Sequence, residues 1–167
     1  MYFVKKKKDI PNLFYFSSAN KRQKEIFEMC KEKALQSDMR SKHCACLVRN
    51  GKIINMECNQ YSSDKNSHSL HAEPLLHKKS MKQYKIRKNY IYDLYVVRYS
   101  EASGFMNSKP CMDCIKYIKL NMNYINKVIY SVDNKTYIKE NKELLSTEHM
   151  SHGYSHLRQQ KRKLMKK

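Results

Sequence analysis

The pair Asn50-Gly51 constrains this chain more than any other two residues. It divides "HCACLVRNGKIINMECN" into two apolar runs with nothing else between them. Both residues tolerate positive φ, which a two-residue hairpin turn requires, so the stretch reads as two antiparallel strands. Ahead of it, Ile26, Met29, Cys30 and Ala34 recur at three- and four-residue steps, one stripe of a helix that Asn20 can cap. Behind it, residues 60 to 70 are polar and loop-like, and 71 to about 88 read as a helix. "YIYDLYVVRYS", 90 to 100, is a buried strand, and a loop follows to Lys109. Residues 110 to about 122 read as a helix with Cys111, Cys114, Ile115, Ile118 and Met122 on one face, and "KVIYSV", 127 to 132, as a last buried strand. The order α, hairpin, α, β, α, β predicts an α/β fold, a three-layer α/β/α sandwich with a mixed central sheet. Nothing after 132 reads as a strand.

The 167 residues suit one domain with tails. The expected division is a basic N-terminal arm over 1–19, a core domain over 20–150 and a basic tail over 151–167. "LFYF" within the arm reads as an edge strand or a surface-packed segment. No stretch approaches the ~20 apolar residues of a membrane span, and "MYFVKKKK" lacks the order of a signal peptide. A cytosolic or nuclear setting with reduced cysteines is expected. The net charge of +19 is the strongest bulk feature. Biased base composition explains Lys over Arg but not the low count of acids, so a polyanion, RNA or single-stranded DNA, is the expected partner, with no membrane. A homo-oligomer is compatible with the sequence.

Chemistry concentrates in two short motifs. Cys111-x-x-Cys114 puts two sulfurs on one helix face, and the positive end of the helix dipole favours the thiolate that binds metal. Pro110 is placed as the first helical residue. Two cysteines make two ligands, and a catalytic zinc takes three plus a water. His71, at the start of the other internal helix, is the candidate third. Glu73 stands two residues on and is placed to reach the open fourth position.

His71-x-Glu73 followed by Pro110-Cys111-x-x-Cys114 resembles the zinc-dependent cytidine and deoxycytidylate deaminase superfamily over about residues 20 to 132. The resemblance implies a cytidine deaminase-like fold and one Zn²⁺ on His71, Cys111 and Cys114. It implies Glu73 as the proton carrier, which moves a proton from the metal's water to the ring nitrogen and then to the departing ammonia. It further implies substrate contacts from Asn59 to the sugar, from the Ala72 N–H to the base and from the Lys109 carbonyl to the exocyclic amine. Asp113 before the second cysteine is similar to the cytosine-acting branches. Lys109 and Asp113 both depart from the tRNA adenosine deaminases.

The expected function is hydrolytic deamination of cytosine to uracil in single-stranded or flipped-out RNA or DNA. A deaminase of free dCMP or cytidine is the alternative. Deamination of adenosine in tRNA and a catalytically silent zinc domain that only binds nucleic acid are minor ones. Cys30, Cys44, Cys46 and Cys58 read as small buried apolar residues. His149, His152 and His156 read as surface or tail histidines rather than a second metal site. Lys5 to Lys8 and the run from Arg158 to Lys167 are the candidate phosphate contacts.

Overall fold

The computed structural model describes residues 12–63, 69–84 and 86–151. The elements follow in chain order. β1 is Leu13–Tyr15, followed by a 3-10 turn, Phe16–Ser18; α1 is Lys21–Leu35; the hairpin strands are β2, Lys42–Arg49, and β3, Lys52–Cys58. Then come β4, Gln60–Tyr61; β5, Ser69–Leu70; α2, Ala72–Gln83; β6, Tyr92–Ser100; β7, Gly104–Met106; α3, Met112–Asn121; β8, Ile125–Ser131; and β9, Thr136–Asn141. A second 3-10 turn, Lys142–Leu144, closes the series.

The main sheet runs β1-β9-β8-β6-β2-β3, with β7 beside the end of β6. It is mixed: β6 and β8 are parallel, and the other pairings are antiparallel. β4 and β5 form a separate two-stranded ribbon. The Asn50-Gly51 hairpin forms as expected, with φ of 49° and 73° at the two turn positions. Only a residue at ease with positive φ fits there, which is why the sequence uses Asn and Gly.

Alternation along the strands splits the core in two. Cys44, Cys46, Val48, Tyr95, Val97, Ile129 and Tyr137 face α1, against Ile26, Phe27, Cys30 and Ala34. Ala45, Leu47, Leu94, Val96, Val128, Tyr130 and Ile138 face α2 and α3, against Ala72, Leu76, Ile115 and Ile118. The result is the expected three-layer α/β/α sandwich. Each fully buried Leu or Ile contributes roughly 1.5–3 kcal/mol to holding a helix on its face. Among the described residues, no helix is long and apolar enough to cross a membrane.

Several local readings shift. α1 is capped by Asn20, whose side chain accepts from the Gln23 N–H while Gln23 reaches back to the Asn20 N–H. Its buried stripe includes Phe27, while Met29 is 44% exposed. α2 stops at Gln83 instead of about 88, and Ile86 beyond it is buried in the core under α2 and α3. Tyr90 then turns back through its N–H to the Arg87 carbonyl. α3 starts at Met112, with Cys111 as its cap in extended conformation, so Pro110 precedes the helix rather than opening it. β9 is an unanticipated strand: Thr136, Tyr137 and Ile138 are buried, but Lys139, Glu140 and Asn141 break the apolar pattern. Residues 13–18, read as part of the arm, pack on the sheet. β1 pairs with β9, and Phe16 meets Phe27 edge-on at 4.8 Å. The lysine run 5–8 and the tail beyond Ser151 lie outside the described residues.

Candidate metal centre and active site

α2 and α3 both begin at the end of the sheet where β6 finishes and β2 starts. His71 is the cap of α2 and Cys111 the cap of α3, both in extended backbone just ahead of the first helical turn. Pro74 lies in the first turn of α2, where no intrahelical donor is needed, and the first intrahelical bond runs from Leu75 N to the His71 carbonyl. Two helix N-termini therefore converge, and both dipoles favour negative charge at the meeting point.

The donors meet there. His71 Nδ1 is 3.1 Å from Cys114 Sγ and 3.6 Å from Cys111 Sγ. Among the described residues, His71, Cys111 and Cys114 are the group of potential metal ligands that converge, all three donor atoms lying within 4.8 Å of one another. One imidazole nitrogen and two sulfurs make a donor set that suits zinc, and three protein ligands leave a fourth position for water or substrate. Zn²⁺ is the metal of this centre.

Charge is shared unevenly between the sulfurs. Cys111 is the thiolate: the hydrogen bond from the Cys114 thiol, helped by His71 and the Cys114 N–H against the cost of burial, pushes it down to about 4. Cys114 is pushed up, first by its bond to Cys111, then by burial and by Glu73. His71 is raised, chiefly by its hydrogen bond to Cys111. Glu73 is buried, and its Oε2 accepts from Cys114 Sγ at 3.4 Å. Burial raises its carboxyl above the ordinary range, with His71 opposing.

The other expected residues divide. Ala72 is buried in the first turn of α2, where backbone N–H groups have no intrahelical partner. Lys109 is half-buried two residues before Cys111, with Nζ 5.8 Å from the Tyr130 ring centre. Asn59 is committed to the scaffold. Its Oδ1 accepts from Ser37 Oγ at 2.7 Å and from the His43 N–H at 2.8 Å, and its Nδ2 donates to the Ser41 carbonyl at 2.7 Å. It pins the start of β2 to the end of β3. Cys30, Cys44 and Cys46 are buried in the apolar cluster under α1, and Cys58 is half-buried.

Three features at this end were not marked by the sequence. His43 and Arg98 face each other across β2 and β6 and became visible only through strand register. Burial, and then Arg98 and His71, push the His43 imidazole down to about 4. Thirdly, the segment after β9 returns along α3. The Glu143 carbonyl accepts from Lys119 Nζ at one end of the helix, and the His149 carbonyl accepts from the Met112 N–H at the other. His149 thus lies beside the zinc centre through its backbone, while His152 and His156 lie outside the described residues.

Comparisons with known proteins place the geometry. Among curated proteins, none matches. The structure of a dCMP deaminase from the cyanophage S-TIM5 in apo form shares 24% identity over 67% of this chain and 84% of its own, with a TM-score of 0.49. That of a cytidine deaminase from Burkholderia pseudomallei shares 15% identity over 76% of this chain and 98% of its own, with a TM-score of 0.58, which is a likeness of fold. A family model described as the cytidine and deoxycytidylate deaminase zinc-binding region matches residues 20–132. That span runs from the cap of α1 past both halves of the metal centre to the end of β8, and by it the chain belongs to the cytidine and deoxycytidylate deaminase family.

Proposed function

We propose that this protein hydrolyses the exocyclic amine of cytosine, giving uracil and ammonia, and that its substrate is cytosine within single-stranded or flipped-out RNA or DNA. The observation that carries the chemistry is Glu73, a buried carboxylate 3.4 Å from a sulfur of the metal centre. A purely structural zinc site has no use for it. The observation that favours a polymer is the net charge of +19.

Zinc held by His71, Cys111 and Cys114 supplies a Lewis-acidic centre at which water becomes nucleophilic near neutral pH. Glu73 accepts a proton from the attacking water on a carboxylate oxygen. It delivers a proton to ring N3, and later one to the leaving amine, so that one water is consumed and one ammonia released. Its raised pKa suits a group that must both take and return a proton. The Ala72 N–H, at the start of α2, is placed to donate to the base carbonyl, and the Lys109 carbonyl to accept from the exocyclic amine. Asn59 serves this site by holding β2 in place, and its remaining amide hydrogen is available to the sugar. The lysine run 5–8 and the basic residues from Arg158 to Lys167 are the proposed phosphate contacts of a longer strand.

The test is to mix the zinc-loaded protein with cytosine-containing oligonucleotides and to look for uracil. Product from the wild type and none from Glu73→Ala supports the reading. Turnover of free dCMP with none on any polymer would overturn the polymer claim. The family's own description favours a second reading, a deaminase of free cytidine or deoxycytidylate. Salt separates the two, because polymer binding falls with a power of salt set by the number of phosphates contacted.

A further inference from the structure

His43 and Arg98 are directly paired in register across β2 and β6. His43 stands one same-face step before Ala45, and Arg98 one step beyond Val96. Both Ala45 and Val96 belong to the apolar cluster under α2 and α3. The two polar residues therefore begin where that cluster ends, on the floor beneath the converging helix N-termini. The metal ligands are close: the charges of His71 and Cys111 both act on His43.

Arg98 is half-buried, yet among the described residues its guanidinium has no ion pair and no hydrogen bond. Its backbone N–H goes to Ser131 Oγ at 3.4 Å. Several other half-buried cations have partners. Lys42 donates to the carbonyls of Leu35 and Ser37, Lys79 pairs with Glu57 at 2.9 Å, and Arg49 lies 3.6 Å from the centre of the Tyr90 ring. A partly desolvated cation without a counter-charge is costly until an anion reaches it. A guanidinium is also the side chain whose fork matches two phosphate oxygens at once.

We infer that Arg98, with His43 beside it, is the anion-binding element of this active site and takes a phosphate of the cytosine nucleotide being deaminated. The inference rests on the reading of the site as a cytosine deaminase. His43 stays uncharged at neutral pH, its Nδ1 facing the Ser41 carbonyl at 3.3 Å, so it flanks Arg98 without adding a second cation beside zinc. Asn59 keeps it in place, accepting from the His43 N–H at 2.8 Å and donating its own N–H to the His43 carbonyl at 3.1 Å. The same phosphate chemistry belongs to the 5′-phosphate of a free nucleotide and to a phosphodiester of a strand.

The test compares deoxycytidine, dCMP and a short oligodeoxynucleotide with one cytosine, using wild type, Arg98→Ala and Arg98→Lys. The wild type is expected to prefer a phosphate-bearing substrate. Arg98→Ala should shrink that preference at least tenfold, through KM more than kcat, and Arg98→Lys should recover part of it. A shrinkage seen with dCMP assigns the free nucleotide, and one seen only with the oligonucleotide assigns a phosphodiester. An unchanged preference, or an equal loss on deoxycytidine, overturns the inference. Calorimetric binding of the same three compounds to zinc-loaded Glu73→Gln reads the preference without turnover. If the wild type deaminates no cytosine compound, the deaminase reading fails, while a phosphate preference that disappears on adding Arg98→Ala still sustains the role of Arg98, and its absence overturns it. Zinc content and circular dichroism monitor folding, and where Arg98→Ala does not fold, Arg98→Lys carries the comparison.

Discussion

The backbone N–H of Met112 donates to the carbonyl of His149 across 2.9 Å, and so ties the segment after β9 to the first turn of α3. An N–H that would otherwise be free at a helix start is occupied by the chain itself. Leu145 anchors the same segment, fully buried among the residues under α2 and α3. Leu145→Ala should therefore destabilise the fold by about 2–4 kcal/mol, the cost of an emptied core position. Denaturant unfolding measures it. A loss below about 1 kcal/mol would mean the segment contributes little to the closed structure.

Glu73→Gln should keep the shape of the site and lose its proton carrier. Turnover should fall by about 10²–10⁴-fold, the usual contribution of a positioned acid–base group. Zinc content, read by atomic absorption, should stay near one per chain. A Glu73→Gln protein that lost zinc in step with activity would assign Glu73 to metal retention instead.

Stripping the metal should abolish activity and leave two cysteines open to alkylation, one of them fast. Cys111 is the thiolate at neutral pH, whereas Cys114 is held protonated. A slow chelator-treated protein, with both sites reacting at the rate of an ordinary thiol, would contradict that asymmetry. Adding zinc back should protect both and restore turnover.

The pH dependence of stability should carry the mark of His43. Its folded value is pushed to about 4 from an ordinary 6.5. Between those values the unfolded chain binds the proton and the folded one does not, so stability falls as pH drops from 6.5 towards 4. The full effect is roughly 3 kcal/mol at most, at 1.36 kcal/mol per pH unit. His43→Val should flatten that part of the profile, and urea midpoints at pH 7 and pH 4.5 decide it. An equal slope in both proteins would place the titration elsewhere.

Sequence made the site more legible than the fold around it. His71, Cys111 and Cys114 carry their metal-binding chemistry in their residue types and spacing, so two short motifs were enough to mark the three donors that converge. The Asn20 cap and the Asn50-Gly51 turn were legible for a similar reason, since each is a local rule. β9 was hidden because Lys139, Glu140 and Asn141 interrupt its apolar pattern and only tertiary pairing makes it a strand. β7 has three residues, too few to show a period. The end of α2 depended on where Ile86 finds its burial, which no propensity reports. His43 and Arg98 lie 55 positions apart and meet through register alone.

Leu13 pairs with Ile138, and Tyr15 with Thr136. A ribosome makes these partners far apart in time. When Leu13 emerges, the strand it will zip onto is still more than a hundred codons away, and the loop between them must close before the pairing counts. The aromatic cluster of Phe16, Phe27 and Tyr137 waits on the same event, because Tyr137 comes from β9 and the two phenylalanines are made long before it. The zinc ligands, by contrast, have all been translated by residue 114. A nascent chain stalled after β8 and before β9 would own a complete set of metal donors and an unfinished sheet, and would offer the bare rim of β8 to whatever strand it met first.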